Sequence, residues 1–327
     1  MKKITYAGAI LEGFEYLLEN YPKVFVLGQG VWSPWYVGSS MNDLEKRFGK
    51  DRVIDTPVSE SACNGIGVGA SLHGYRPIVI HPRMDFMLYG MDAMVNQAAK
   101  WSSMLGGEGR PCVTFRSIIN RGGEQGAQHS QALHSWFAHI PGLRVVMPSS
   151  PLDARDLLIS SVLCDDPVLY IDDRWLYSEE EGYQPIKERP LCEEKPKVVS
   201  RGDHLTLVGS GYATKVCKTI SDSLKAENIS CEIMDISVLN PLDITPVLTS
   251  VQKTGRLYAV DGGWKNCGFS AEIIASVCEK ISPSHLKRSP KRYTIMGAPA
   301  PSSALLEKEY YFNEKKIVQE ILGDFKS

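Results

Sequence analysis

Asp55-Thr56-Pro57-Val58-Ser59-Glu60, continuing as Ser61-Ala62-Cys63-Asn64-Gly65-Ile66-Gly67-Val68-Gly69, reads as the end of a strand running into a helix with Glu60 at the junction. Each helical glycine costs about 1 kcal/mol relative to alanine. Gly65, Gly67 and Gly69 therefore need a compensating reason, and close approach of another backbone or a ligand is the usual one. Gly65 and Gly69 stand one turn apart and bare a single face. A carboxylate at the mouth of such an element is a candidate ligand-binding acid. The plainer reading, a first-turn Glu suited to the helix dipole, is favoured on this segment alone.

Outward from this junction, the rhythm is β-α-β. A helix over 5–20 opens the chain. Apolar runs at Val24–Leu27, Pro77–Ile80, Val113–Phe115, Val145–Met147 and Val168–Ile171 have the continuous character of parallel strands buried on both faces. Helical patterns lie between them at 59–73, 87–101 and 151–163, the last starting with Pro151 after Ser149-Ser150. From Ser178 to Pro196 the text turns rich in acids and prolines and reads as a connector. The rhythm then resumes with strands His204–Val208, Cys231–Ile236, Arg256–Val260 and Arg292–Met296. The helices of this half are Ala213–Glu227, Asp243–Thr249, Phe269–Ile281 and Glu314–Leu322. The expected fold is α/β in two domains, each a mostly parallel sheet flanked by helices, over 1–177 and 198–327 with a linker at 178–197.

With 327 residues, two cores can form. A net charge of -2 gives no support to nucleic-acid or anionic-membrane binding, and no apolar run approaches a membrane span. Lys2 and Lys3 are followed by no signal-peptide core, and the eight scattered cysteines form no Cys-x-x-Cys; they read as reduced core residues of a cytoplasmic protein. Walker, Gly-x-Ser-x-Gly and His-Glu-x-x-His motifs are all absent, which removes the usual anchors of kinases and simple hydrolases.

Two glycine pairs follow strands. Gly209-Ser210-Gly211 opens a helix as a dinucleotide fingerprint would, with Asp235 as a possible strand-end acid. Thr214 replaces the third glycine, so a structural turn is the favoured reading. Gly28-Gln29-Gly30 has no third glycine either, and Trp32 is a poor phosphate neighbour. The polar run Gly122-Gly123-Glu124-Gln125-Gly126-Ala127-Gln128-His129 belongs at the carboxyl edge of the sheet, where open α/β folds bind ligands. His129 is placed there either as a proton-transfer group near neutral pH or as a loop histidine bonded to backbone. His134 and His139 look structural, and Trp101, Trp136 and Trp175 read as core or interface filling.

Taken in order, Asp55–Glu60, Asp92–Lys100, Ala127–Gln131, Pro141–Pro148, Gly268–Ile273 and Leu305–Lys308 resemble the β subunit of the thiamine diphosphate-dependent 2-oxoacid dehydrogenase E1 component, within the transketolase superfamily. The pyruvate and acetoin enzymes look closer than the branched-chain enzyme, and the likeness runs almost end to end. It implies a pyrimidine-binding domain followed by a transketolase-type C-terminal domain. It also implies thiamine diphosphate as cofactor, with Glu60 hydrogen-bonding N1′ of its aminopyrimidine. In a desolvated pocket such a bond has large leverage on the ring's tautomer. By the same carry-over, Phe86 stacks on the ring, Val58 and Tyr89 line its pocket, and His129 faces the reacting centre.

The family's Gly-Asp-Gly and later Asn, which hold Mg²⁺ and through it the diphosphate, do not occur here: Gly202-Asp203 is followed by His204. The resemblance therefore implies an E1 α subunit that holds the metal, an α2β2 heterotetramer, a 2-oxoacid substrate and a lipoyl domain as acceptor. It also implies a monovalent-cation loop of backbone carbonyls near Ser161 to Asp166. Departures lie at Gln29, where the family has an acid, at Trp32–Tyr36, and at His81-Pro82-Arg83. They motivate an alternative: a split transketolase-like or acyloin-forming enzyme with a different acceptor. A non-catalytic subunit that has lost the cofactor is the third reading, and Glu60, Phe86 and His129 together speak against it.

Overall fold

The computed structural model describes residues 2–326. In chain order its strands are β1 (Lys3–Thr5), β2 (Val24–Gln29), β3 (Val53–Thr56), β4 (Arg76–His81), β5 (Thr114–Ile119), β6 (Arg144–Val146) and β7 (Val168–Asp173). There follow β8 (Glu180–Gly182), β9 (Lys197–Ser200), β10 (Leu205–Gly209), β11 (Cys231–Asp235), β12 (Val238–Asn240), β13 (Leu257–Asp261) and β14 (Lys291–Thr294).

Two compact units form. The first contains the chain up to Arg121, Trp136–Glu194 and Leu239–Pro241. Its sheet has seven strands in the order β12-β6-β7-β5-β4-β2-β3. The pairs from β6 through β3 are all parallel. β5 and β7 are buried at every residue, as strands covered on both faces must be. The helix Tyr6–Asn20 starts where the Thr5 hydroxyl accepts from the Gly8 amide, and Pro151–Leu163 starts the same way from Ser150 to Asp153. Within the expected connector, β8 pairs antiparallel with β1.

The centre of this sheet holds a charge pair. Arg116 on β5 donates to both Asp172 oxygens on β7, at 3.1 and 2.7 Å, and also to Ser40 Oγ and the Tyr177 hydroxyl. Both ionic side chains are fully buried; Nε and Nη2 of Arg116 pair with the two carboxylate oxygens, while Nη1 has no hydrogen-bond partner among the described residues.

The second unit contains Gly122–Ser135, Lys195–Val238 and Leu242 onward. Its five-stranded sheet runs β14-β13-β10-β11-β9, parallel except for the edge strand β9. The helix Tyr212–Lys225 packs its apolar side (Val216, Cys217, Ile220, Leu224) into a core with Leu205, Leu207 and Ile233.

Some expectations need correcting. The helix expected at 87–101 is broken into a turn at Met84–Met87, a 3₁₀ turn at Leu88–Gly90, a π-helical stretch at Ala93–Ala98 and an α-helix at Ala99–Met104. All eight cysteines are free, but only Cys63, Cys217 and Cys231 are core residues; Cys192, Cys267 and Cys278 are exposed. Trp136 is half exposed. Among the described residues no helix is long and apolar enough to cross a membrane.

Candidate functional site

β3 ends at Thr56, and the helix Glu60–Leu72 begins three residues after Pro57, with Ser59 at its N-cap position. Glu60 is the first helical residue and is partly buried. Among the described residues nothing hydrogen-bonds or ion-pairs with its carboxylate, so both oxygens remain able to accept from a ligand. Val58, just outside the first turn, is 68% exposed. The Asp55 carboxylate accepts from the Val31 amide at 3.0 Å, which ties the segment after β2 to β3. Gln29 closes β2 in register with Thr56.

A second wall rises from the neighbouring strand. β4 ends at buried His81, and the chain then turns through Met84–Met87, carrying Phe86, and Leu88–Gly90, carrying Tyr89. Phe86 is partly buried and Tyr89 is 74% exposed. A Cβ at Gly90 would lie 2.1 Å from Asn64 Nδ2 and 3.0 Å from the Glu60 carbonyl oxygen, so the turn rests directly on the first turns of the Glu60 helix. Glu60, Val58, Phe86 and Tyr89 thus come from segments that leave the carboxyl edge of one parallel sheet, the ligand-binding edge of open α/β folds.

The glycines of the helix divide. A Cβ at Gly67 would meet Val79 Cγ2 at 2.6 Å, a close approach of a side chain and not of the backbone or ligand expected, whereas Gly65 and Gly69 have nothing within 4 Å.

His129 lies in the second unit, half-buried in the Gly122–Ser135 segment. That segment is clipped to its own unit at several points. The Gly122 amide donates to the Tyr311 hydroxyl (3.1 Å), the Glu124 amide to Glu307 Oε1 (2.9 Å), and the Ala304 amide back to Glu124 Oε1 (3.0 Å). Five residues past His129, buried His134 places Nε2 2.9 Å from Asp261 Oδ1. Burial pushes the Asp261 carboxyl up, but His134 and the amides of Ser270 and Gly263 more than offset this and hold it down to about 2. His134 is structural, as read from the sequence; His139 is exposed.

The dinucleotide-like turn is also structural. Thr214 donates to buried Asp235 at 2.6 Å and Ser237 donates to its other oxygen, so the strand-end acid is already engaged. In the segment expected to ring a monovalent cation with carbonyls, those of Val162 and Cys164 both accept from Arg76 at 2.9 Å. A guanidinium thus engages two backbone carbonyls of that segment.

Sequence reading missed His81 and Asn64, the Arg116–Asp172 pair and the Glu124–Glu307 clip. The only signal for the first was the unusual His81-Pro82-Arg83 run.

Residues 2–178 match the family described as "Transketolase, pyrimidine binding domain" and residues 194–317 "Transketolase, C-terminal domain". The chain is 34% identical over 306 residues to the pyruvate dehydrogenase E1 component subunit beta of Rickettsia bellii, covering 94% of each chain. To the mitochondrial pyruvate dehydrogenase E1 component subunit beta of Bos taurus it is 33% identical, covering 97% of this chain and 89% of the other. The fold matches a solved structure titled "Split gene transketolase, inactive beta4 tetramer", with a TM-score of 0.80 at 17% identity over 99% of both chains. It also matches transketolase from Campylobacter jejuni, with a TM-score of 0.72 at 16% identity over 98% of this chain and 47% of that one. From its two transketolase-type domains and its end-to-end likeness to these relatives, we conclude that the chain belongs to the family of pyruvate dehydrogenase E1 component β subunits.

Proposed function

We propose that this chain is the β subunit of a thiamine diphosphate-dependent 2-oxoacid dehydrogenase E1. It decarboxylates a pyruvate-like 2-oxoacid in the cytoplasm and passes the acyl group to a lipoyl domain. Residues 1–177 are the pyrimidine-binding domain, 178–197 the linker and 198–327 the C-terminal domain. An E1 α subunit completes an α2β2 heterotetramer and holds Mg²⁺ with the diphosphate.

The observation that carries this reading is the Glu60 carboxylate: it opens a helix at the carboxyl edge of the sheet and has no partner among the described residues. Its acceptor chemistry fits an aminopyrimidine, since a carboxylate can take the hydrogen bond of a protonated ring nitrogen and hold the proton there. When bound, the cofactor supplies the electron sink for decarboxylation. Phe86 offers an aromatic face to the ring, a contact worth about 0.5–1.5 kcal/mol beyond area, and exposed Val58 and Tyr89 supply apolar surface beside it. His129 is assigned to the reacting end, where an imidazole can hold or pass a proton near pH 7. Gln29 cannot titrate, so no proton is exchanged at that position.

The test is reconstitution with a candidate α chain. Calorimetry with thiamine diphosphate and turnover with pyruvate are measured for the wild-type pair and for Glu60→Gln. Binding within about tenfold of wild type, with turnover reduced at least ~100-fold, is expected, because only the proton-sharing role is removed. Full activity in Glu60→Gln would end the proposal. Offering a lipoyl domain and an aldehyde as competing acceptors separates this reading from a split transketolase-like or acyloin-forming enzyme.

A further inference from the structure

Behind the two walls of the candidate site lies a buried polar bridge between them. His81 Nε2 is 2.8 Å from Asn64 Oδ1, and Asn64 Nδ2 donates to the Gly90 carbonyl at 3.0 Å. A carbonyl can only accept, so the amide of Asn64 must point its NH₂ at Gly90 and its oxygen at His81. The histidine must then carry its proton on Nε2. Each orientation in the bridge follows from the one before it. Asn64 sits one helical turn after Glu60, and Gly90 ends the turn that carries Phe86 and Tyr89. Both side chains of the bridge are nearly inaccessible, at 3% and 0% exposure. An apolar pair would fill such a space without the desolvation cost of an imidazole and an amide.

We propose that His81 and Asn64 are positioning residues that set the gap between the Glu60 carboxylate and the Phe86–Tyr89 turn, and so the width of the slot for the aminopyrimidine ring. This rests on the reading of Glu60 given above. A flat ring must meet a carboxylate at its edge and an aromatic on its face at once, and neither contact tolerates a displacement of the turn. Loss of the His81 donor leaves the Asn64 amide free to rotate, which removes the hydrogen bond that ties the Gly90 carbonyl to the helix.

The experiment compares thiamine diphosphate binding, by calorimetry, in the reconstituted α/β pair carrying wild-type, His81→Phe and His81→Gln β chains, with the unfolding midpoint of each measured in parallel. His81→Phe is expected to weaken binding about tenfold or more, in keeping with the sensitivity of bound geometry to displacements near 1 Å. His81→Gln, whose amide can donate to Asn64 from a similar place, is expected to restore binding to within about threefold. Rescue by Gln is not expected if the position only fills space. A folded His81→Phe pair that binds as the wild type does would overturn the inference while leaving the Glu60 reading intact. A wild-type pair that takes up no thiamine diphosphate would remove both. If His81→Phe does not fold, hydrogen exchange of the wild-type pair decides. Cofactor addition is expected to protect the amides of Ser61–Asn64 and Leu88–Met91 together, and protection confined to the first segment would overturn the inference.

Discussion

His81 closes β4 almost out of reach of solvent, and burial drives its pKa from 6.5 down to about 3. The folded chain therefore keeps this imidazole neutral across the ordinary pH range, while the unfolded chain takes up a proton below 6.5. A base with a lowered native pKa binds fewer protons folded than unfolded, so stability must fall as pH drops from 6.5 toward 3. The slope is at most about 1.4 kcal/mol per pH unit, or about 2 kcal/mol between pH 7 and pH 5. His81→Gln has nothing to titrate and should flatten that part of the curve. Urea unfolding at pH 5, 6 and 7 for both proteins measures it, and identical slopes would mean that His81 charges in the native state. Glu60 is the opposite kind of residue: partly buried, its carboxylate has no hydrogen bond or ion pair among the described residues.

At the scale of elements, the helix Glu60–Leu72 separates two kinds of glycine. Gly67 lets the helix approach β4, since a Cβ there would meet Val79 Cγ2 at 2.6 Å, while a Cβ at Gly69 meets nothing within 4 Å. Gly69→Ala is therefore expected to stabilise the isolated chain by up to about 1 kcal/mol, the propensity difference. Gly67→Ala should destabilise it by roughly 1–3 kcal/mol, because a methyl is forced into packed side chains. Urea titrations of the two variants should shift in opposite directions; a common direction would contradict this packing. The helix expected at 87–101 breaks up for a related reason. Gly90 sits against Asn64 and the Glu60 carbonyl, and that close approach shapes the turn more strongly than local propensity does.

Over the whole molecule, the first unit is organised around the Arg116–Asp172 pair, to which Ser40 and Tyr177 add hydrogen bonds from other segments. Arg116→Met leaves a buried carboxylate without its counter-charge, at an expected cost of about 3–5 kcal/mol in the unfolding free energy. Arg116→Met combined with Asp172→Leu should recover part of that loss, because the stranded charge is gone. A double variant no more stable than the single would show that the pair is not the source of the cost. The second unit gathers Gly122–Ser135 out of the middle of the first half of the sequence, holding it through Glu307, Tyr311 and Asp261. His129 is thereby attached to the unit that bears β13, not to the sheet that bears Glu60.

Much of this was legible without coordinates. Pro151 after Ser150 marks a helix start, continuous apolar runs mark β5 and β7, and Glu60 marks the junction of β3 with the helix after it. Each is a local signal, carried by propensity, capping or burial of a single element. The motif order that links Asp55–Glu60 to Ala127–Gln131 and Gly268–Ile273 is also written in one dimension. What the chain could not announce are the pairs His81–Asn64, Arg116–Asp172, His134–Asp261 and Glu124–Glu307, whose members stand 17, 56, 127 and 183 residues apart. Such partners are chosen only when packing removes water from a polar group and whatever lies nearest in space must satisfy it. The ends of the strands and the start of the helix belong to the sequence; the amide that faces Gly90 and the unit that holds His129 belong to the folded chain.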